Sequence, residues 1–335
     1  MLATALWQSR SPAARFARGL LWPAAALYRA GMAGRRAAYG LGVLRRHRMG
    51  VPVVAVGGLS VGGAGKTPLA SWIAQYLASR GWRPAIVLRG FGGDEGEVHR
   101  RHVPQAIVVE DPNRPRAGRA AVRDGANVLV LDDGYQRLDL ARDLNVAVMA
   151  AESVPFTGVL PVGPWREPWT ALRRADLVVI TRKSATIGEA LTVVGAVRRL
   201  QPRAPIAVVR LRIAGFRDLC SGNRFPVAAV AGKRVLATAG IADPWTFAAQ
   251  LRALGGAIRL LPWPDHHPYR SADVARLGAL AHAVDYVVLT EKDAVKLAPH
   301  WPHGGPAPLV AELGLSWDVG LGTVEDLLSR LMTLS

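Results

Sequence analysis

The stretch Gly57-Gly58-Leu59-Ser60-Val61-Gly62-Gly63-Ala64-Gly65-Lys66-Thr67-Pro68 carries the sharpest chemical meaning in this sequence. Its glycines let successive backbone N–H groups curl around phosphate oxygens, and a helix opening at its end adds a positive dipole end. Gly62, Gly63, Ala64 and Gly65 would cradle the phosphates of ATP, Lys66 would reach the β- and γ-phosphates, and the Thr67 hydroxyl would bind Mg2+. The general G-x-x-x-x-G-K-[ST] pattern asks for Gly where Ser60 stands, but a hydrophobic run before it and a helical pattern after it supply the required context. A plain glycine turn is the alternative.

Val128-Leu129-Val130-Leu131 is an apolar run that ends in two carboxylates, Asp132 and Asp133. Such a strand sets acid beside the Mg2+ of a glycine-loop site, with solvated loop acids as the alternative. Asp94 and Glu95 follow Gly92-Gly93 at the end of another apolar run. Acids at a strand's carboxyl edge lie where α/β sheets bind ligands. One there could take the proton of an attacking hydroxyl; solvated turn residues are an equal alternative. Asp265-His266-His267 sits between Pro264 and Pro268. Adjacent histidines point apart on regular backbone and no third ligand is in view, so a catalytic or orienting histidine is preferred to zinc.

A parallel sheet covered by helices must position these groups, because short β-branched runs alternate with helical patterns. Strands are expected over residues 51–59, 84–91, 106–109, 127–132, 145–150 and 177–181, with helices over 68–80 and 187–200. After Pro202 and Pro205 comes a connecting strand at 206–213. A second series follows at 234–241, 243–254, 258–261 and 286–290. The expected fold class is a P-loop NTPase-like α/β sheet with helices on both faces, a smaller second α/β lobe and an N-terminal amphipathic helix. Its parts are a segment 1–48, a nucleotide domain 49–204 and a lobe 205–335 bordering the active-site cleft, with a hinge near 202–230.

Length and composition agree with this reading. A chain of 335 residues holds two domains or one large α/β domain, and 50% hydrophobic with 20% charged residues excludes wholesale disorder. The single cysteine, Cys220, excludes an internal disulfide and any Cys-rich zinc site. It reads as a small buried or half-buried side chain in a reducing compartment. The formal net charge of +17 is unevenly placed: residues 1–50 carry no Asp or Glu, yet nine arginines from Arg10 to Arg48. Leu20, Leu21, Trp22, Leu27, Tyr28 and Met32 are interspersed among them, the composition of an interfacial helix. The apolar run between Arg18 and Arg29 is too short for a bilayer span of roughly 20 residues. No cleavage site marks a signal peptide; a transit peptide and a plain structural helix are the alternatives. Nucleic-acid binding has only charge in its favour, without a basic-and-aromatic stacking pattern.

With these residues in view, the chain resembles the tetraacyldisaccharide 4'-kinases, the lipid A 4'-kinases of Gram-negative bacteria, from about Leu21 to Leu297. Arg89-Gly90-Phe91-Gly92 is similar to the family's S-R-G-Y-G, Gly93-Asp94-Glu95 to its G-D-E, and Asp132-Asp133-Gly134-Tyr135-Gln136 to its D-D-G-x-Q. Leu160-Pro161-Val162-Gly163-Pro164-Trp165-Arg166-Glu167-Pro168, Ala239-Gly240-Ile241, Pro264-Asp265-His266-His267-Pro268-Tyr269 and Thr290-Glu291-Lys292-Asp293-Ala294 complete the series. Gly58, Ala64 and Leu88 depart from the family pattern, and the segment between Gly92 and Asp94 is short.

The resemblance implies transfer of the ATP γ-phosphate to the 4'-hydroxyl of a tetraacyl disaccharide 1-phosphate at the cytoplasmic face of the inner membrane. It implies Asp94 as general base with His266 tuning or relaying its proton, and Lys66, Mg2+ and Arg166 stabilising the transferring group. The same motifs put forward Glu95, Arg89, Gln136 and Glu167 as substrate or phosphate contacts. The implied partners are an anionic glycolipid and the membrane surface, with neither nucleic acid nor an obligate protein partner. A membrane-associated P-loop ATPase of the partitioning or assembly type is the competing reading; it would have no use for an Asp–His pair.

Overall fold

A computed structural model describes residues 6–7, 9, 11–90, 92–153, 158–301 and 308–331; Arg10 and Phe91 lie outside the described residues. The chain divides into two compact units: Met1–Arg89, His102–Arg210 and Trp317–Ser335 form one, Gly90–Arg101 and Leu211–Ser316 the other. This division sets the Asp94 segment apart from the glycine loop and returns the last residues to the first unit.

The N-terminal apolar run makes two helices rather than one, α1 (Pro12–Leu20) and α2 (Trp22–Gly40). Pro23, in the first turn of α2, lacks the N–H that a continuous helix would use and would clash with the preceding turn. Ala25 and Tyr28 turn inward against a cluster that contains Trp165 and Leu172, while Phe16, Leu20, Trp22 and Leu27 are exposed.

In the first unit, β1 (Val53–Gly58) leads through the glycine loop into α3 (Lys66–Ser79) and β2 (Pro84–Leu88). The chain then builds α4 (Asp94–His102), which falls with the other unit apart from its last residue. It returns as β3 (Ile107–Glu110), α5 (Arg114–Arg123), β4 (Val128–Leu131), β5 (Leu144–Ala150), β6 (Leu177–Arg182), α6 (Ile187–Leu200) and the start of β7 (Ile206–Asp218). These strands pair in parallel in the order β3-β2-β4-β1-β5-β6-β7. Strands β1, β2 and β4 are buried along their whole lengths, as expected of a parallel sheet covered on both faces. Each fully buried Val or Leu contributes about 1.5–3 kcal/mol, so these short strands hold without help from propensity. The order places β1 between β4 and β5, and the loops after β1 and β4 therefore emerge side by side at the carboxyl edge.

The second unit contains β8 (Arg224–Phe225), β9 (Arg234–Ala239), α7 (Pro244–Ala253), β10 (Ala257–Pro262), α8 (Ser271–Ala281), β11 (Tyr286–Thr290), α9 (Glu291–Leu297) and most of β12 (Leu309–Val319). Its parallel order is β10-β9-β11-β12, and β8 pairs antiparallel with the end of β7. Where a hinge near 202–230 is expected, β7 runs unbroken as far as Asp218, with buried and exposed residues alternating from Val209 to Ile213. Cys220 is exposed rather than buried, in a turn whose N–H groups at Cys220 and Ser221 donate to Asp218. The last helix, α10 (Leu321–Leu331), packs in the first unit, where Ser329 Oγ lies 3.3 Å from the Tyr76 hydroxyl.

Candidate active site

The first unit assembles a phosphate site around the start of α3. Gly65 takes the left-handed conformation (φ 79°) as the residue capping that helix, which only glycine adopts without strain. The first turn of α3 holds no acid of its own, so the positive end of the helix dipole at the glycine loop is not offset from within the helix. Lys66 Nζ donates to Asp133 Oδ1 at 2.7 Å, and Arg166 Nη1 donates to both oxygens of Asp133 at 3.0 and 2.8 Å. Burial alone would push the Asp133 carboxyl up; the two cations overcome it and hold the group at about 2. Asp133 is therefore a carboxylate throughout the physiological range.

Asp132 is deeply buried and accepts the Thr67 hydroxyl at 2.9 Å and the Asp133 N–H at 2.8 Å. A hydroxyl and a carboxylate thus meet at the mouth of the glycine loop. Among the described residues no group of three or more His, Cys, Asp or Glu side chains gathers as a metal cage. Arg114, also buried, donates to the Asp132 carbonyl at 3.1 Å.

Other candidates support the loop from behind. Gln136 Nε2 donates to the Gly58 carbonyl at 2.9 Å. Glu167 is buried and accepts from Arg36 at 3.0 Å and from Arg174 at 2.8 and 2.5 Å, so its observed contacts are with the chain itself. Arg89 is exposed just beyond β2. The sequence reading gives no role to Lys183, whose ammonium donates to the Gly63 carbonyl at 2.6 Å, or to Glu152, which accepts the N–H groups of Lys183, Ser184 and Ala185. The signal that could have found Lys183 is its position just past β6, on the same carboxyl edge as the glycine loop.

The second unit holds the candidate base. Asp94 begins α4 with its carboxylate fully buried, where the helix dipole favours negative charge. Its Oδ2 lies 3.0 Å from Lys296 Nζ and 3.4 Å from His266 Nδ1. Neither contact has hydrogen-bond alignment, so the Lys296 contact acts as an ion pair. Glu95 pairs with Lys292 at 2.6 Å. His266 is itself in the left-handed region (φ 58°), and its N–H donates to the Gly240 carbonyl at 3.0 Å. Gly92 (φ 80°) passes so close that a Cβ there would stand 3.3 Å from Asp94 Oδ1 and 3.4 Å from His266 Nδ1. Two residues 172 positions apart in sequence are thereby brought into contact, beside a glycine whose positive φ would strain a side chain and where a Cβ would crowd Asp94.

Burial raises the Asp94 pKa, but Lys292, Lys296 and His266 together bring it below the usual carboxylate range. A base with a depressed pKa is in its working form at neutral pH and loses it only as pH falls through that low value. Removing Lys296 deletes a lowering influence. The acid limb of the kcat/KM profile of Lys296→Met is therefore expected to move to higher pH, with the alkaline side retained. An acid limb that does not move would assign Lys296 to packing alone. Lys292 and Lys296 are four residues apart on one face of α9, a spacing the sequence displays without naming its partner.

A glycine loop on a parallel sheet, an acid pair beside it and a buried Asp–His contact define a P-loop phosphotransferase fold. The sequence profile of the family described as tetraacyldisaccharide-1-P 4'-kinase matches residues 17–100 and 92–319. Proteins named tetraacyldisaccharide 4'-kinase are similar over most of the chain. That of Anaeromyxobacter dehalogenans (strain 2CP-1) is 40% identical, covering 88% of this chain and 85% of its own. The Azoarcus sp. (strain BH72) protein is 34% identical over 98% of this chain and 95% of its own. Among solved structures, the "apo" form of LpxK from Aquifex aeolicus in complex with ATP superposes with a TM-score of 0.73 at 24% identity, covering 94% of this chain and 99% of that one. The chain belongs to the tetraacyldisaccharide 4'-kinase family.

Proposed function

We propose that the protein transfers the γ-phosphoryl group of Mg-ATP to the 4'-hydroxyl of a tetraacyl disaccharide 1-phosphate, a step of lipid A biosynthesis. The observation that carries this reading is the buried Asp94 held 3.4 Å from His266, a constellation that a simple ATPase does not need. Two groups of residues, one in each unit, divide the work. Lys66 and the N–H groups at the start of α3 bind the β- and γ-phosphates, while Asp94 orients the acceptor hydroxyl and takes its proton. Thr67 and Asp132 would hold Mg2+ with Asp133 beside them, and the ion would neutralise charge on the phosphate oxygens. Lys66 must share or leave Asp133 to engage a phosphate, and Arg166 keeps that carboxylate paired when it does.

The transferring group passes through a loose transition state, so positioning and electrostatics supply most of the acceleration. A weak base suffices under those conditions, because the hydroxyl proton leaves late. His266 then accepts or shares that proton through Nδ1. The exposed Phe16, Leu20, Trp22 and Leu27, flanked by arginines, suit the bilayer boundary of an anionic membrane. No described helix is long and apolar enough to cross a membrane. We place the protein at the cytoplasmic face of the inner membrane, where the acceptor lipid resides.

The test is transfer of 32P from γ-labelled ATP to a tetraacyl disaccharide 1-phosphate in mixed micelles. A labelled bis-phosphorylated lipid that requires Mg2+ is expected. Release of labelled inorganic phosphate without labelled lipid would replace this reading with the ATPase one.

A further inference from the structure

The first unit holds a second basic site that the transfer chemistry does not use. An open cavity of about 590 Å3 lies between the end of α2 with the segment that follows it, the start of α5 and the loop after β4. That is the size of a small-ligand site. Its walls carry Arg45, His47, Arg119 and Arg137, with Tyr39 and a single carboxylate, Asp139. Asp139 is already committed to Arg137 at 2.7 Å, which leaves Arg45 and Arg119 to set a positive interior. The Arg137 Nε–H and the Asp139 Oδ1 are buried and have no hydrogen-bond partner among the described residues. The cavity is pinned in shape by backbone bonds: the His47 N–H donates to the Asp139 carbonyl at 2.8 Å, and the Ala141 N–H donates to the His47 carbonyl at 2.9 Å.

Two further features say what kind of anion belongs there. The loop that supplies Arg137 and Asp139 begins with the acid pair Asp132-Asp133, and Arg114, between the cavity residues Asn113 and Pro115, touches the Asp132 carbonyl. Arg114 thus ties the start of α5, whose residues help to line the cavity, to the loop that begins at Asp132. On its other side Leu41, Val43 and Leu44 are exposed beside Arg45, an apolar rim of the kind that meets acyl chains. Cations lining the cavity and an apolar rim beside it together suit an anion carried on a lipid.

We infer that this cavity is a recognition subsite for the 1-phosphate of the acceptor glycolipid, with Arg45 and Arg119 as its specificity-determining cations. The inference rests on the reading of the chain as a kinase of that lipid. Arginine is suited to the task because its planar fork grips a phosphate monoester through two parallel N–H bonds. Binding the far end of the disaccharide fixes the register in which the 4'-hydroxyl is offered, and it discriminates against sugars and lipids without a 1-phosphate.

The experiment compares two acceptors in neutral-detergent micelles, the tetraacyl disaccharide 1-phosphate and the same disaccharide with a free 1-hydroxyl. The wild type, Arg45→Gln and Arg119→Gln are each assayed on both. Both arginines are exposed, so the fold should tolerate the substitutions. The expected result is a wild-type preference, in kcat/KM, for the 1-phosphorylated acceptor that falls by about tenfold in each variant and is carried by KM. A preference the variants leave intact would overturn the proposal, as would losses that are equal for the two acceptors. A third arm adds phosphatidylglycerol to the micelles. A variant defect that follows phosphatidylglycerol content whichever acceptor is used would assign the cavity to bilayer phosphate instead, also overturning it. Absence of transfer by the wild type to either acceptor would sink the kinase reading itself, an outcome distinct from the others.

Discussion

Asp94→Asn is expected to lower kcat by about 10^2–10^4-fold while ATP still binds. The substitution keeps the shape of the side chain and removes only its charge and its capacity to accept a proton. Asp94 is fully buried with Lys296 at 3.0 Å and His266 at 3.4 Å, so its carboxylate is the group around which this part of the second unit is organised. The loss should therefore appear in turnover and leave nucleotide affinity alone, because the residues proposed to bind phosphate belong to the other unit. Stability needs a separate check. Neutralising a buried acid leaves the Lys296 ammonium without its counter-charge, and the thermal midpoint of the variant should fall. Single-turnover rates measured well below that midpoint separate the two effects. A variant that transfers phosphate at close to the wild-type rate would remove Asp94 from the role of base, and the 3.4 Å contact with His266 would then be structural.

Lys66→Ala carries the second large effect, a fall in kcat/KM for ATP on the order of 10^2–10^3-fold. Lys66 stands at the first position of α3, where its ammonium adds a full charge to the partial charge of the helix end. It is also one of two cations on Asp133, which sits at about 2 because of them. Deleting the lysine thus removes the proposed phosphate ligand and leaves Arg166 as the principal partner of the acid. Because that carboxylate stays paired through Arg166, the fold is expected to survive, and the defect should fall on catalysis. Nucleotide titration and phosphoryl transfer, measured on the same preparation, check this. If the substitution weakened neither, the glycine loop would be a structural turn and the phosphate site would lie elsewhere.

Much of the first unit was legible from residue order alone. The runs at β1, β2 and β4 are apolar throughout because both faces of a parallel sheet are covered, and such runs betray buried strands without any tertiary knowledge. The glycine loop was equally plain, since its mechanism is local: consecutive N–H groups and the helix they open lie within one stretch of chain. Less was legible around Asp94. A solvated turn and a functional acid were equal readings, and only the fold makes Asp94 the buried first residue of a helix.

Sequence by itself determined what is encoded within a few residues: the strand pattern, the phosphate-cradling glycines, the Lys66-Thr67 pair, and a basic, apolar start without an acid in its first fifty positions. Its ordered motifs also determined the family. Tertiary structure alone decided how distant groups combine. It split the N-terminal apolar run at Leu21, ran β7 unbroken from Ile206 to Asp218, and left Cys220 in the open. It brought Lys292 and Lys296 to the Asp94–Glu95 pair, laid Lys183 on the glycine loop, and shaped the cationic cavity beside α5. The physical reason is range. Backbone geometry and burial periodicity act over one turn or one strand and leave their mark in spacing. The charge carried by a buried carboxylate depends on cations that arrive from elements hundreds of residues away, which no local pattern records.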